Sequence, residues 1–241
     1  MSGQKTCVMW IGAHPDDERH CTGTLHKFVK NGHRAVICAV SKAEKGSIEI
    51  SADELAKIRD KELAEAARII GAEYYGNLGE PDLDFYLTGE LVHKIVKAIR
   101  DVRPDIVITH NEKEKHDHST VSKAVTHAIM CANHPCYDPG TPSSFVQRLY
   151  YEAGGSEYEP DFWIDVTNEE EVKLKSLAAH QTQVKFMGLG GDFLEALKAR
   201  DRANGMRVHC KYAEAFKACR IPGYIRAELG PSKSLLSIQK I

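Results

Sequence analysis

The sequence has no run of apolar residues long enough to cross a membrane, no Cys-x-x-Cys pair and no Gly-x-Gly-x-x-Gly turn. A spanning helix needs about 20 apolar residues, and the short apolar stretch after Lys5 is soon followed by the polar His14, too early for a signal peptide. The seven cysteines, at 7, 21, 38, 131, 136, 210 and 219, are odd in number and scattered, which argues against a zinc ribbon or a thioredoxin-type site. Reduced thiols in the cytoplasm are the simplest expectation. Without a glycine-rich turn after the first apolar stretch nothing cradles a pyrophosphate, and Asp16 and Asp17 would repel one there, so a nucleotide-dependent dehydrogenase is disfavoured. Excess charge of one sign is missing too. Lys and Arg total 32 against 34 Asp and Glu, intermixed along the chain, so neither a nucleic-acid nor a membrane partner is expected.

What is present has the composition of a soluble globular protein, with 42% hydrophobic and 27% charged residues. No repeat or low-complexity tract divides the 241 residues, and they are expected to form one domain over 1–241, less regular from about 145. Cys7 to Gly12 is apolar without helical period and reads as a buried parallel strand, as do Ala35 to Val40 and Asp105 to Thr109. Helices are predicted at 23–31, from Ser51 to Gly71, at 89–102 and at 119–131, with Ser51-Ala52-Asp53-Glu54 as a capping box and Gly32 closing the first. Further on, 147–152 and 162–166 read as strands, 170–180 as a helix and 187–192 as a flexible break. Loops are expected at 41–53, 79–90, 133–146 and 184–206. Strand, helix, strand, helix in alternation indicates an α/β fold with a mostly parallel sheet and right-handed crossovers.

Two polar clusters follow predicted strands: 14–18 after the first and 110–118 after the third. Ligands of an open parallel sheet bind beyond the carboxyl ends of its strands, so these distant clusters should meet. The first sets His14 beside two carboxylates on a turn stiffened by Pro15. Catalytic zinc takes three protein ligands of the His and carboxylate type, leaving a neighbouring Asp to act as base. The plainer reading is a helix start whose acids complement the dipole. The second cluster holds His110, His116 and His118 around Asp117. It can supply a third ligand and a His to stabilise an oxyanion, or it is simply a charged, solvated loop.

Ala13-His14-Pro15-Asp16-Asp17-Glu18, followed by Gly23-Thr24-Leu25, resembles the signature of the LmbE-like, or PIG-L, deacetylase family. The resemblance extends through Arg59 and Glu62, Leu78 to Asp82, Arg103 to Asn111, Asp165-Val166-Thr167, Ala179 to Gln183 and Tyr212 to Phe216. It implies a Rossmann-like three-layer fold with helices on both faces of a mostly parallel sheet. It also implies a zinc-dependent hydrolase, with Fe2+ as an alternative ion, that removes N-acetyl groups from amino sugars or their conjugates. His14, Asp17 and His118 would be the metal ligands, Asp16 the general base and Asp117 a carboxylate orienting a ligand His. Arg59 would contact substrate or orient the metal ligands, and His180 would be a further substrate contact. One departure stands out. The family commonly has His-Pro-Asp-His where this chain has Lys115-His116-Asp117-His118. Either the first His has moved to His116, or Lys115 replaces it and the oxyanion role passes to His110 or His180. Two rivals stay open: a zinc amidohydrolase with a non-sugar N-acyl substrate, and a metal-lacking binding protein of the same fold, which the altered 115–118 segment favours. The partner is expected to be a small N-acetylated molecule, and relatives of this kind often assemble into homo-oligomers.

Overall fold

A computed structural model of the chain describes residues 5–114, 116–153, 159–187 and 192–219. Among the described residues seven strands form one sheet: β1 (Cys7–Gly12), β2 (Arg34–Ser41), β3 (Glu73–Glu80), β4 (Ile106–Thr109), β5 (Arg148–Glu152), β6 (Phe162–Asp165) and β7 (Ala213–Ala218). Their order is β3-β2-β1-β4-β5-β7-β6. The first five are parallel, and β7 runs antiparallel to both β5 and β6. This is the expected three-layer α/β architecture.

Every residue of β1 is buried, because the pleat sends alternate side chains into two different layers. Met9 and Ile11 join Val36, Cys38 and Val107 under α3 (Gly89–Val102) and α4 (His116–Asn133). Val8 and Trp10 join Ile37 and Ile108 under α1 (Thr22–Lys30) and α2 (Ala52–Ile70). A strand covered on both faces reads as an unbroken apolar run, which is why β1 and β2 were visible in the sequence.

Several local expectations are corrected. Ser51 is the N-cap residue of α2 but makes no side-chain capping bond, so the capping box is not formed. At the other end Gly71 takes φ 80 and the Ala72 N–H bonds back to Ala67 O, a left-handed stop that suits glycine. Helix α4 begins at His116 rather than 119, with Asp117 in its first turn, where a carboxylate complements the dipole. The helix predicted at 170–180 is α5 (Glu170–Ala179); a further helix, α6 (Gln181–Met187), follows it directly, the two separated where the His180 side chain turns to Glu18. The 184–206 stretch, expected as loop, contains the end of α6 and most of α7 (Phe193–Arg207). Of the break expected at 187–192, residues 188–191 lie outside the described residues. Among the described residues no helix is long and apolar enough to cross a membrane.

Because β1 lies between β2 and β4, the chain leaves β1 and β4 in opposite directions. The crevice left at their carboxyl ends brings residues 13–18 and 110–118 together.

Candidate functional site

The polypeptide leaves β1 through Ala13 and enters a 3-10 turn at Asp17–His20. Asp16 sits between them at φ 96, a left-handed conformation costly for a residue with a side chain. Its neighbours hold it there. The Asp16 N–H donates to Glu18 Oε2 at 3.0 Å, and Arg19 Nη1 donates to Asp16 O at 2.8 Å. The buried carboxylate is gripped on both oxygens, by Arg59 Nη2 and Arg19 Nη1, each at 2.7 Å. Burial pushes the Asp16 carboxyl up, and the two guanidiniums oppose that rise without cancelling it.

Asp17 is the hub. Its Oδ2 lies 3.1 Å from His14 Nδ1 and 3.1 Å from His118 Nε2, while Arg19 holds Oδ1 at 3.0 Å. The remaining nitrogen of each imidazole is also taken: His14 Nε2 lies 3.1 Å from Asp117 and 3.2 Å from Asp82, and His118 Nδ1 lies 2.6 Å from Glu114. A tetrahedral ion with ligand bonds of about 2.0–2.1 Å has edges of about 3.3 Å. Two such edges are matched, from Asp17 Oδ2 to His14 Nδ1 and to His118 Nε2, and ligand atoms of all three residues lie within 4.8 Å of one another. Two other groups are close enough to be considered. His110, Glu114 and His118 fail because both His110 nitrogens are engaged: Nε2 accepts the Ala13 N–H at 2.8 Å, and Nδ1, which then carries the proton, faces Glu152 at 2.8 Å. His14, Asp82 and Asp117 would leave His118 unused and strip His14 of the carboxylates that orient it. The donor chemistry of the first group, two imidazoles and one carboxylate, fits a divalent ion.

Protons compete for the same atoms. Burial pulls the His118 imidazole down, but Asp17 and Glu114 outweigh it and push it up to about 10. His14 is likewise opposed by burial, yet Asp117, Asp17 and Asp82 hold it well above the usual histidine range. Burial would raise Asp17, but His118 and His14 keep it well below the usual carboxylate range. Without an ion both imidazoles therefore carry protons at neutral pH that an incoming cation must displace. Metal affinity is expected to rise with pH, with release of about two protons per ion at pH 7. Calorimetry in buffers of different ionisation enthalpy measures that number; release near zero would exclude this pair as ligands.

The structure thus brings His14, Asp16, Asp17, Asp117 and His118 into one cluster. His116 lies exposed at the first residue of α4, with φ 46. Lys115 lies outside the described residues. Arg59, 3% exposed, donates to Pro15 O, Asp16 and Ala43 O, so it braces the turn rather than facing the crevice. His180 is fully buried. Its Nε2 pairs with Glu18 Oε1 at 2.6 Å, behind the turn, so it presents no surface to a substrate. His110 is fully buried as well, with Nδ1 2.8 Å from Glu152. Because its Nε2 accepts from Ala13, its proton is on Nδ1; burial and the His118 charge push it down to about 3.

Sequence reasoning missed Asp82, Glu114, Glu152 and Arg19. Glu152 ends β5 at the carboxyl edge of the sheet, and Glu114 stands four residues before His118, so position alone offered a signal for both.

Residues 9–129, half of the chain, match the family described as PIG-L: GlcNAc-PI de-N-acetylase. The chain is 28% identical over 188 residues to a diacetylchitobiose deacetylase of Thermococcus kodakarensis, which takes in 73% of this chain and 69% of that protein. It is 26% identical over 184 residues to a 1D-myo-inositol 2-acetamido-2-deoxy-alpha-D-glucopyranoside deacetylase of Thermomonospora curvata. That match takes in 64% of this chain but only 62% of the relative, less than two thirds of its length. Among solved structures, the conserved protein TT1542 of Thermus thermophilus is 27% identical with a TM-score of 0.79, covering 92% of this chain and 98% of that one.

Proposed function

Because this chain belongs to the PIG-L (GlcNAc-PI de-N-acetylase) family, we propose that it is a zinc-dependent hydrolase that removes an N-acetyl group from an amino sugar or its conjugate. One observation carries the reading: a single oxygen, Asp17 Oδ2, stands 3.1 Å from a nitrogen of His14 and 3.1 Å from a nitrogen of His118. The other nitrogen of each ring rests on a carboxylate, Asp117 for His14 and Glu114 for His118, the arrangement that fixes ligand tautomers in metal sites.

In this reading His14, Asp17 and His118 hold the ion, and Fe2+ would accept the same donors. Held by these residues, a zinc ion would supply Lewis-acid chemistry, polarising the amide carbonyl and making water easier to deprotonate near neutral pH. Asp16 takes the proton from the attacking water, and burial makes its carboxylate more basic than usual, the direction that suits a general base. Arg59 and Arg19 fix its two oxygens, so its position does not depend on the substrate. Asp117 orients His14. His116 is assigned to the developing oxyanion. The other histidines considered, His110 and His180, are fully buried with Nε2 engaged, whereas His116 is exposed at the start of α4. Hydrolysis breaks the amide C–N bond, the proton passes to the leaving nitrogen, and a free amine and acetate result. The relatives' names support the sugar half of the reading. The seven free cysteines support a reducing, cytoplasmic setting.

The test is acetate release by zinc-loaded protein from a panel of N-acetyl amino sugars beside N-acyl amino acids. Turnover of the sugars is expected. Hydrolysis of the amino acids alone would move the protein to the non-sugar amidohydrolases, and a zinc content well below one per chain would favour a binding protein.

A further inference from the structure

His110 stands one residue beyond β4, fully buried, yet it touches both segments of the candidate site. Its Nε2 accepts the Ala13 N–H at 2.8 Å, and Ala13 directly precedes His14. Its ring lies flat against that of His118, with centroids 4.0 Å apart and planes 9° from parallel. On the other edge Nδ1 lies 2.8 Å from Glu152 Oε1, at the end of β5. Trp10 Nε1, on β1, donates to the second oxygen of Glu152 at 3.3 Å. One imidazole therefore joins the carboxyl ends of β1, β4 and β5, which are neighbours in the sheet.

Where that ring keeps its proton matters to the centre. Nε2 stands 3.5 Å from Asp17 Oδ2, the oxygen that faces His14 and His118. A proton on Nε2 would point at that oxygen and occupy a lone pair that a metal ion needs. The Ala13 N–H forbids this, because two N–H groups cannot face each other at 2.8 Å. Nε2 keeps its lone pair, and the proton sits on Nδ1, toward Glu152. The same bond fixes where the turn begins. Ala13 is fully buried, and a buried amide deprived of its acceptor loses far more than one that water can reach, so the chain entering His14 and Asp17 is held to the end of β4. For His118 the stacked ring does the corresponding work. Together with Glu114, 2.6 Å from Nδ1, it restricts that imidazole to one plane and one tautomer.

Resting on the reading of His14, Asp17 and His118 as the ligand group, we propose that His110 is a positioning residue of the hydrolytic centre. Ala13 and Glu152 hold it as the Nδ1–H tautomer, and in that form it locks the turn carrying His14 and Asp17 to the segment carrying His118 and keeps a proton away from Asp17 Oδ2. It touches neither substrate nor ion and acts through the residues that do.

The test measures zinc affinity by chelator competition for the wild type, His110→Gln, His110→Leu and Ile95→Ala. Glutamine places its Oε1 near the position of Nε2 and can still accept from Ala13, whereas leucine fills the space without an acceptor. Leucine is expected to weaken zinc binding by about 10–100-fold, the usual effect of removing a group that orients a ligand, and glutamine to recover most of that loss. In acetate release the leucine variant should lose kcat with KM little changed. Ile95, fully buried in α3, reports on stability alone: Ile95→Ala should lower the melting temperature and leave zinc affinity unchanged. Equal losses in the glutamine and leucine variants, or an equal loss in Ile95→Ala, would overturn the proposal. A further readout needs no substitution to fold well. In ¹⁵N-histidine spectra of the wild type at pH 7, the signal missing from His110→Gln should be a neutral Nδ1–H imidazole, and an Nε2–H tautomer or an imidazolium would overturn the proposal. Should leucine prevent folding, that spectrum still decides it. If no sugar releases acetate, the deacetylase reading fails, while zinc affinity and the spectrum still decide the role of His110.

Discussion

Replacing Asp16 with asparagine is expected to lower acetate release by about 10²–10⁴-fold, the usual cost of removing a positioned general base, while the protein still takes up zinc. Asparagine is the informative substitution. Position 16 has φ 96, which Asn and Asp adopt more readily than other side chains, whereas alanine would let the turn relax and displace Asp17 as well. The amide oxygen can still accept from Arg59, but it can no longer take a proton. Arg59 is 3% exposed and would lose the charge that balances it, so some loss of stability accompanies the change. Kinetics below the melting transition, together with metal analysis of the same sample, separate the two effects. Near-normal turnover in this variant would remove Asp16 from the mechanism.

The second large effect is expected at His118. Substitution by alanine removes one of the two imidazoles that stand 3.1 Å from Asp17 Oδ2 and should abolish stoichiometric zinc binding and activity together. Glu114→Gln provides the scale. It leaves every proposed ligand in place and changes only the group 2.6 Å from His118 Nδ1, for which about 10–100-fold weaker metal binding is expected. The order of the losses, His118→Ala well beyond Glu114→Gln, is the diagnostic. Full zinc occupancy in His118→Ala, with loss in Asp82→Asn, would instead support His14, Asp82 and Asp117 as the ligand group.

Much of the fold was legible because its central strands are buried on both faces. β1 and β2 read as continuous apolar runs, and their alternation with amphipathic helices implied a parallel sheet. The outer parts were harder. β3 is the edge strand, carries Gly76 and Gly79 and has two register shifts against β2, so its sequence shows neither an apolar run nor a clean alternation. β7 inserts antiparallel between β5 and β6 after a long excursion in sequence, and no local pattern announces such a return. Among site residues, the Asp-Asp turn and the second His cluster were visible as types of chemistry. The partners that set their geometry were not.

The sequence by itself determined the kinds of group available: a histidine and two aspartates on a stiff turn after one strand, and histidines with an aspartate after another. It also implied that the two segments would meet, since both follow strands of one parallel sheet whose ligands bind beyond its carboxyl edge; the order that sets β1 beside β4 came from the tertiary structure. Tertiary structure alone decided which atom faces which. His110 is about as close to the cluster in sequence as His118, yet the fold commits its Nε2 to the Ala13 N–H and leaves His118 Nε2 facing Asp17. Likewise His180 and Arg59, both candidates for touching substrate, stand behind the turn, paired with Glu18 and Asp16. The physical reason is that sequence spacing fixes a side chain's direction only within its own element. Whether a polar group ends up facing a crevice or a buried partner depends on packing between elements, where an unpaired charge costs far more than it does in water.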